Sequence, residues 1–139
     1  MSEEDRNVAI LKDVYAAWHD TKGKSVDRWL AICADQLNFG SLAQTEKTVP
    51  YMKLYESKDT LGEYFRGLAR DWEMIEYAVE HYVAQGDRVV TLGRCSWKAK
   101  KSGVLVWTPI ANSFRFQDGK IVEFYEYFDT AQVRDAMMA

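Results

Sequence analysis

Apolar residues recur at every third or fourth position near the start of the chain. Val8, Leu11, Tyr15 and Trp18 form a stripe that Val14 widens, which is the period of an amphipathic helix. Glu3, Glu4 and Asp5 occupy the first turn, where the helix dipole favours negative charge, and Gly23 marks the stop. Ser25 can cap a short second helix, SVDRWLAIC, with Val26, Trp29, Leu30 and Cys33 facing inward. LNFGSLA reads as a short strand or irregular segment, and TEKTVPYMKLYE as a loop broken by Pro50. Ser57 or Asp59 can cap a third helix that runs to about Trp72 on the stripe Leu61, Tyr64, Phe65, Leu68 and Trp72.

From Glu76 the pattern changes. EYAVEHYVA, DRVVTLGRCSWKAK, GVLVWTPIANSFRF and KIVEFYEYF read as strands separated by turn signals at QGD, KKSG and QDG. AQVRDAMMA reads as a short closing helix or a frayed tail. Helices first and a meander afterwards predict an α+β fold: three helices from the N-terminal half packed on the concave face of a curved antiparallel sheet. The other sheet face must meet water or a second subunit. With 139 residues and no internal repeat or low-complexity linker, residues 1–139 form one domain with room for a real core.

Composition narrows the function classes. Hydrophobic residues make up 47% and charged residues 28%, an ordinary soluble globular balance. The aromatic share of 14% calls for a bulky core or a ring-lined cavity. A formal net charge of −3 gives no footprint for nucleic acid. No apolar run approaches the ~20 residues that span a membrane, and the acidic start MSEEDRN is wrong for a secretory signal. Cys33 and Cys95 lack metal-ligand spacing and read as buried reduced thiols, which places the protein in the cytoplasm. With His19 and His81 as the only imidazoles, no metal site is expected, and no cofactor motif, phosphate loop or Ser-His-Asp set is present.

The candidate chemistry lies in the last hairpin, FRFQDGKIVEFYEYFDT. A two-residue type I′ turn at Asp118-Gly119 pairs Phe116 with Ile121 and Phe114 with Glu123. A bulge at Gly119 shifts the pairing by one, so that Phe114 meets Val122 and Ile110 meets Glu126. The bulged register gathers Ile110, Phe114, Phe116, Val122, Phe124 and Phe128 on one face, with Asn112 and Glu126 as its only polar members. The other register buries Glu123 and Asp129 among phenylalanines. Desolvating two carboxylates costs more than one, which favours the bulged register and an inward Glu126. A carboxylate among rings has its charged form disfavoured, so its pKa rises toward the range useful for proton transfer. An ion pair of Glu126 with Arg94 or Arg115 is the structural alternative.

The first helix, WLAICADQL, the segment from Lys58 to Trp72 and above all TPIANSFRFQDGKIVEFYEYFD resemble the nuclear transport factor 2-like superfamily. That superfamily includes ketosteroid isomerases and SnoaL-like polyketide cyclases. The resemblance implies a cone-shaped, cystatin-like α+β barrel with a pocket between sheet and helices, often dimeric through the outer sheet face. By resemblance to the cyclases, Glu126 looks into the cavity. By resemblance to the isomerases, Tyr15 falls at their oxyanion-hole tyrosine and Asn112 at their second donor. Their proton-shuttling aspartate would fall near Ser41, which has no suitable pKa. The resemblance also implies that Trp18, Tyr55 and Trp72 help to enclose a pocket whose sheet side is Phe114, Phe124 and Phe128.

The expected function is binding of a small apolar or aromatic ligand by a homodimer, with Glu126, Asn112 and Tyr15 as catalytic candidates of a cofactor-independent isomerase or cyclase. The alternative is a non-catalytic ligand-binding or dimerisation module. Both have precedent on this scaffold.

Overall fold

The computed structural model describes residues 1–139. Helix α1 spans Glu3–Asp20 and begins with a capping box. Asp5 N donates to Ser2 Oγ at 3.0 Å, and Ser2 N donates to Asp5 Oδ2 at 3.3 Å. Its buried stripe is Asn7, Leu11, Val14, Tyr15 and Trp18, so the predicted face holds, with Asn7 inside and Val8 only half-buried. Helix α2, Val26–Ile32, passes directly into strand β1, Cys33–Ser41, which starts four residues earlier than the pattern LNFGSLA indicates.

A short strand β2, Tyr55–Ser57, lies within the segment read as loop. A 3-10 turn at Lys58–Thr60 leads into α3, Gly62–Asp71. The third helix is thus split, and Trp72 is not its last residue. Trp72 opens the long strand β3, Trp72–Gln85. Strands β4, Arg88–Ala99, β5, Leu105–Gln117, and β6, Lys120–Tyr127, complete the meander. The closing segment is a helix, α4, Thr130–Met138, capped by Asp129 through a bond from Gln132 N at 3.2 Å.

One six-stranded sheet results, in the order β2-β1-β6-β5-β4-β3. Its end strands β2 and β3 do not pair, so the sheet is open rather than a closed barrel. It is also mixed: β1 runs parallel to β6, whereas every other neighbour is antiparallel. The wholly antiparallel sheet expected from the meander is corrected by this pair. Everything from β2 to β5 lies between the two strands, which is ample for the crossover that parallel pairing needs. Irregularities in β3 between Met74 and Glu76 and between Val79 and His81 bend the sheet around the helices.

The last hairpin follows neither proposed register throughout. Asp118 and Gly119 have φ of 51° and 77°, as a type I′ turn requires, and Phe116 pairs with Ile121. The bulge lies three residues beyond Gly119, at Val122, so Arg115 pairs with Glu123, Phe114 with Phe124, and Asn112 with Glu126. That extra residue restores the inward face. Ile121, Phe124 and Glu126 are buried, and Val122 is half-buried. The core is one contiguous apolar cluster between this sheet face and the helices. No helix is long and apolar enough to cross a membrane.

Candidate functional site

The inner sheet face and helices α1 to α3 enclose a cavity of about 90 Å³. Trp18, Trp29, Tyr64 and Phe65 come from the helices, Phe39 and Trp72 from β1 and β3, and Ile110 and Phe124 from the hairpin strands. Rings interlock around it. Phe39 stacks on Phe124 at 4.3 Å between centroids, and Tyr64 meets the edge of Phe39 at 5.0 Å. Val133 of α4 and Phe128 just before it close one side.

Glu126 and Asn112 are the polar members of the hairpin face. They are cross-strand partners, and both line the cavity. Glu126 is only 7% exposed and has no cation within reach. Arg94 is held by Glu76 and Glu80, each at 3.2 Å, while Arg115 lies 3.2 Å from Glu123 and 3.8 Å from Asp87. The ion pair considered for Glu126 is therefore absent. Its protein partners are hydroxyls. Tyr64 Oη lies 3.1 and 3.0 Å from the two carboxylate oxygens, and Ser41 is paired with Glu126 across the parallel β1–β6 ladder, where its hydroxyl also favours the charged form. These bonds favour the carboxylate, but burial outweighs them and pushes the Glu126 pKa up to about 7. The same burial, reinforced by the Glu126 charge, holds Tyr64 well above the ordinary tyrosine value.

A second cluster surrounds Asn112. Its Nδ2 donates to Tyr15 Oη at 2.7 Å and to Tyr77 Oη at 2.9 Å. The two tyrosine rings stack at 5.6 Å, and Tyr15 Oη also lies 3.4 Å from Thr91 Oγ1. Burial raises both tyrosines above their ordinary range, so both are neutral phenols. An amide has two N–H hydrogens, and both are committed here. The expectation that Asn112 donates to a ligand oxygen is corrected by this geometry: Asn112 anchors Tyr15 and Tyr77, and its Oδ1 is left buried without a partner.

Tyr15, Asn112, Glu126, Trp18, Trp72, Phe124 and Phe128 thus line one cavity. Tyr55 and Phe114 do not. The Tyr55 hydroxyl turns away to Tyr51 O at 2.6 Å and Glu63 Oε2 at 3.0 Å. Phe114 is fully buried behind Trp29, stacked at 6.1 Å with an interplanar angle of 1°. Trp97 lines the cavity, while Trp107 is 53% exposed on the outer face. His81 is exposed.

Sequence reasoning missed Tyr77 and Cys95, cross-strand partners that both line the cavity. The alternation of EYAVEHYVA carries a signal for Tyr77, but irregularities on either side of it hide which face is inward. Cys95 is an inert thiol, its pKa pushed up to about 12 by burial. No three His, Cys, Asp or Glu residues stand together to hold a metal.

Residues 11–124 match the family of SnoaL-like domains. Solved structures of the same fold span essentially the whole chain. An NTF2-like protein of unknown function from Burkholderia pseudomallei is 20% identical, with a TM-score of 0.82 and 100% of each chain covered. TerC, co-crystallised with polyporic acid, is 16% identical with a TM-score of 0.79, covering 96% of this chain and 99% of its own. A Catenulispora acidiphila protein with a ketosteroid isomerase-like fold, in complex with trimethylamine, is 12% identical with a TM-score of 0.72, covering 90% of this chain and 92% of its own. No curated protein matches the chain.

Proposed function

The chain belongs to the SnoaL-like domain family, and from that premise we propose that it binds a small apolar or aromatic ligand in the cavity and that Glu126 transfers a proton on it. The observation that carries this reading is a buried carboxylate with no cation, raised to about 7 inside a ring-lined cavity. At that value the group takes and returns a proton near neutrality with similar ease. A carboxylate oxygen takes the proton from a carbon beside a ligand carbonyl, and the electron pair moves onto the carbonyl oxygen. Return of the proton at another carbon completes an isomerisation; attack of the enolate carbon on a second carbonyl closes a ring. Tyr15, anchored by Asn112, supplies the neutral hydroxyl that meets the developing oxyanion. Two proteins of this fold crystallised with organic molecules, polyporic acid and trimethylamine, support a small-molecule guest.

The test is Glu126→Gln on a ketone substrate of the wild type. Turnover falls by roughly 10²- to 10⁴-fold while folding and ligand affinity hold. Equal turnover by the variant ends the catalytic role.

A second reading is a binding module without turnover. Ser41 stands where the isomerases' base would fall, and Tyr64 occupies both Glu126 oxygens. Undiminished ligand binding with no reaction on any ketone offered decides for it.

We also place a homodimer interface on the outer sheet face. There His81, Leu92, Ala111 and Tyr127 form one cross-strand row, and Leu92, Trp107, Tyr127 and Val83 are all at least 40% exposed. The buried free thiols Cys33 and Cys95 support a reducing compartment, the cytoplasm.

A further inference from the structure

Ser41 ends strand β1 in a turn that fixes its side chain. Ala43 N donates to Ser41 Oγ at 3.1 Å, and Gln44 N donates to Ser41 O at 3.0 Å. A hydroxyl that accepts from the amide two residues on still has its own hydrogen to give. Ser41 is 1% exposed, so bulk water does not take that hydrogen. Its partner across the parallel ladder is Glu126, on a strand ~4.8 Å away. Leu42 N donates to Glu126 O at 2.9 Å and ties the two backbones together at this point. From this arrangement we infer that Ser41 is the positioning residue of Glu126: its hydroxyl donates to the carboxylate, orients it and stabilises its charged form inside the apolar cavity. This rests on Glu126 being the proton-transfer group, as proposed above, and adds the residue that prepares it.

Ser41 is outside the cavity lining, so it acts through Glu126 and does not touch a guest. Tyr64, the other donor, is a cavity-lining ring on α3 whose one hydrogen is shared between oxygens at 3.1 and 3.0 Å. A guest that reaches the carboxylate therefore takes the place of Tyr64, whereas the Ser41 donor, anchored by backbone, stays. Glu126 keeps one hydrogen bond while its other oxygen faces the guest, so the Tyr64 contact does not bar proton transfer. Both hydroxyls act against the larger effect of burial, and no cation shares the task. The other titratable groups around Glu126 are Tyr15 on α1, Tyr77 on β3 and Cys95 on β4. Burial keeps these three, like Tyr64, neutral.

A ¹³C titration of the Glu126 carboxyl carbon in the full chain tests this without a substrate. In Ser41→Ala the midpoint should rise by at least about one pH unit, the effect of losing one hydrogen bond to a charged group. Ser41→Thr keeps the hydroxyl and should titrate as the wild type does. In the wild type, where no folding defect enters, the Ser41 hydroxyl proton should exchange slowly with solvent, and its resonance should follow the Glu126 midpoint. On the ketone substrate used for Glu126→Gln, the acid limb of kcat/KM should move up in Ser41→Ala by the same amount as the midpoint and return in Ser41→Thr. A Ser41→Ala midpoint equal to that of the wild type overturns the inference, as does a Ser41 proton that exchanges like that of an exposed serine. Either result leaves Glu126 as the proton-transfer group. Wild-type turnover in Glu126→Gln overturns both the inference and the reading it rests on.

Discussion

Tyr64 reaches from α3 to Glu126 on β6, placing one hydroxyl 3.1 and 3.0 Å from the two carboxylate oxygens. A hydroxyl has one hydrogen, so it serves the two oxygens in turn. The bond favours the charged carboxylate, against the larger opposing effect of burial. Removing it in Tyr64→Phe leaves burial less opposed and moves the Glu126 pKa further above about 7. A hydrogen bond to a charged group is worth ~1.5–3 kcal/mol, so the rise should be roughly one to two units. A ¹³C titration of the Glu126 carboxyl carbon measures it directly. An unchanged titration would show that Tyr64 does not stabilise the carboxylate.

Glu126 also makes the fold sensitive to pH. Its folded value of about 7 lies above the 4.5 of an ordinary glutamate. Between those values the folded state holds the proton and the unfolded state releases it, so stability falls as pH rises through the window and levels off above it. The difference corresponds to roughly 3–3.5 kcal/mol at most. Denaturant melts from pH 4.5 to 8 should show this decline for the wild type, and a much flatter profile for Glu126→Gln. Parallel profiles for the two proteins would show that Glu126 is not destabilised in the fold.

Most of this arrangement is legible in the sequence, because period and desolvation act locally. The α1 stripe through Tyr15 and Trp18 follows from helical spacing, and the inward Glu126 from the cost of burying Glu123 and Asp129 instead. Other parts depend on backbone irregularities that composition does not encode. The Val122 bulge, not a bulge at Gly119, sets the parity of β6, although both put Glu126 on the same face. Two irregularities in β3 obscure the inward position of Tyr77. Asn112 is held in place only because Tyr15 and Tyr77, from two different elements, converge on its amide nitrogen. Such convergence is a property of the tertiary fold. The inward position of Trp97 is hidden for the same reason, since the register of β4 against β3 and β5 decides its face.

One glycine supports that register. Gly93 on β4 pairs with Val79 beside the β3 irregularity, and a Cβ at this position would stand 1.9 Å from the Ala78 carbonyl oxygen. The obstacle is backbone, so no rotamer change relieves it. Gly93→Ala should therefore destabilise the protein by ~1–3 kcal/mol or more through overpacking, seen as a lower midpoint in urea. A melt within ~0.5 kcal/mol of the wild type would mean that β3 bends away freely at this point.

The outer face yields the last prediction. Leu92 sits between His81 and Ala111 in the row that ends at Tyr127, and it is 40% exposed although it is a large aliphatic side chain in the middle of the sheet. A stable pair of copies needs ~1,200–2,000 Å² of buried surface, and the exposed Val83, Leu92, Trp107 and Tyr127 are apolar anchors spread over four strands for such a contact. The wild type should sediment as a dimer at micromolar concentration. Leu92→Glu places a charge from each copy in a dry interface, where desolvation and like-charge repulsion oppose association, so the variant should sediment as a monomer. Because Leu92 is outside the cavity lining, the fold of each chain should be unchanged, as circular dichroism would check. A wild type that stays monomeric, or a Leu92→Glu protein that remains dimeric, would remove the outer face as the interface.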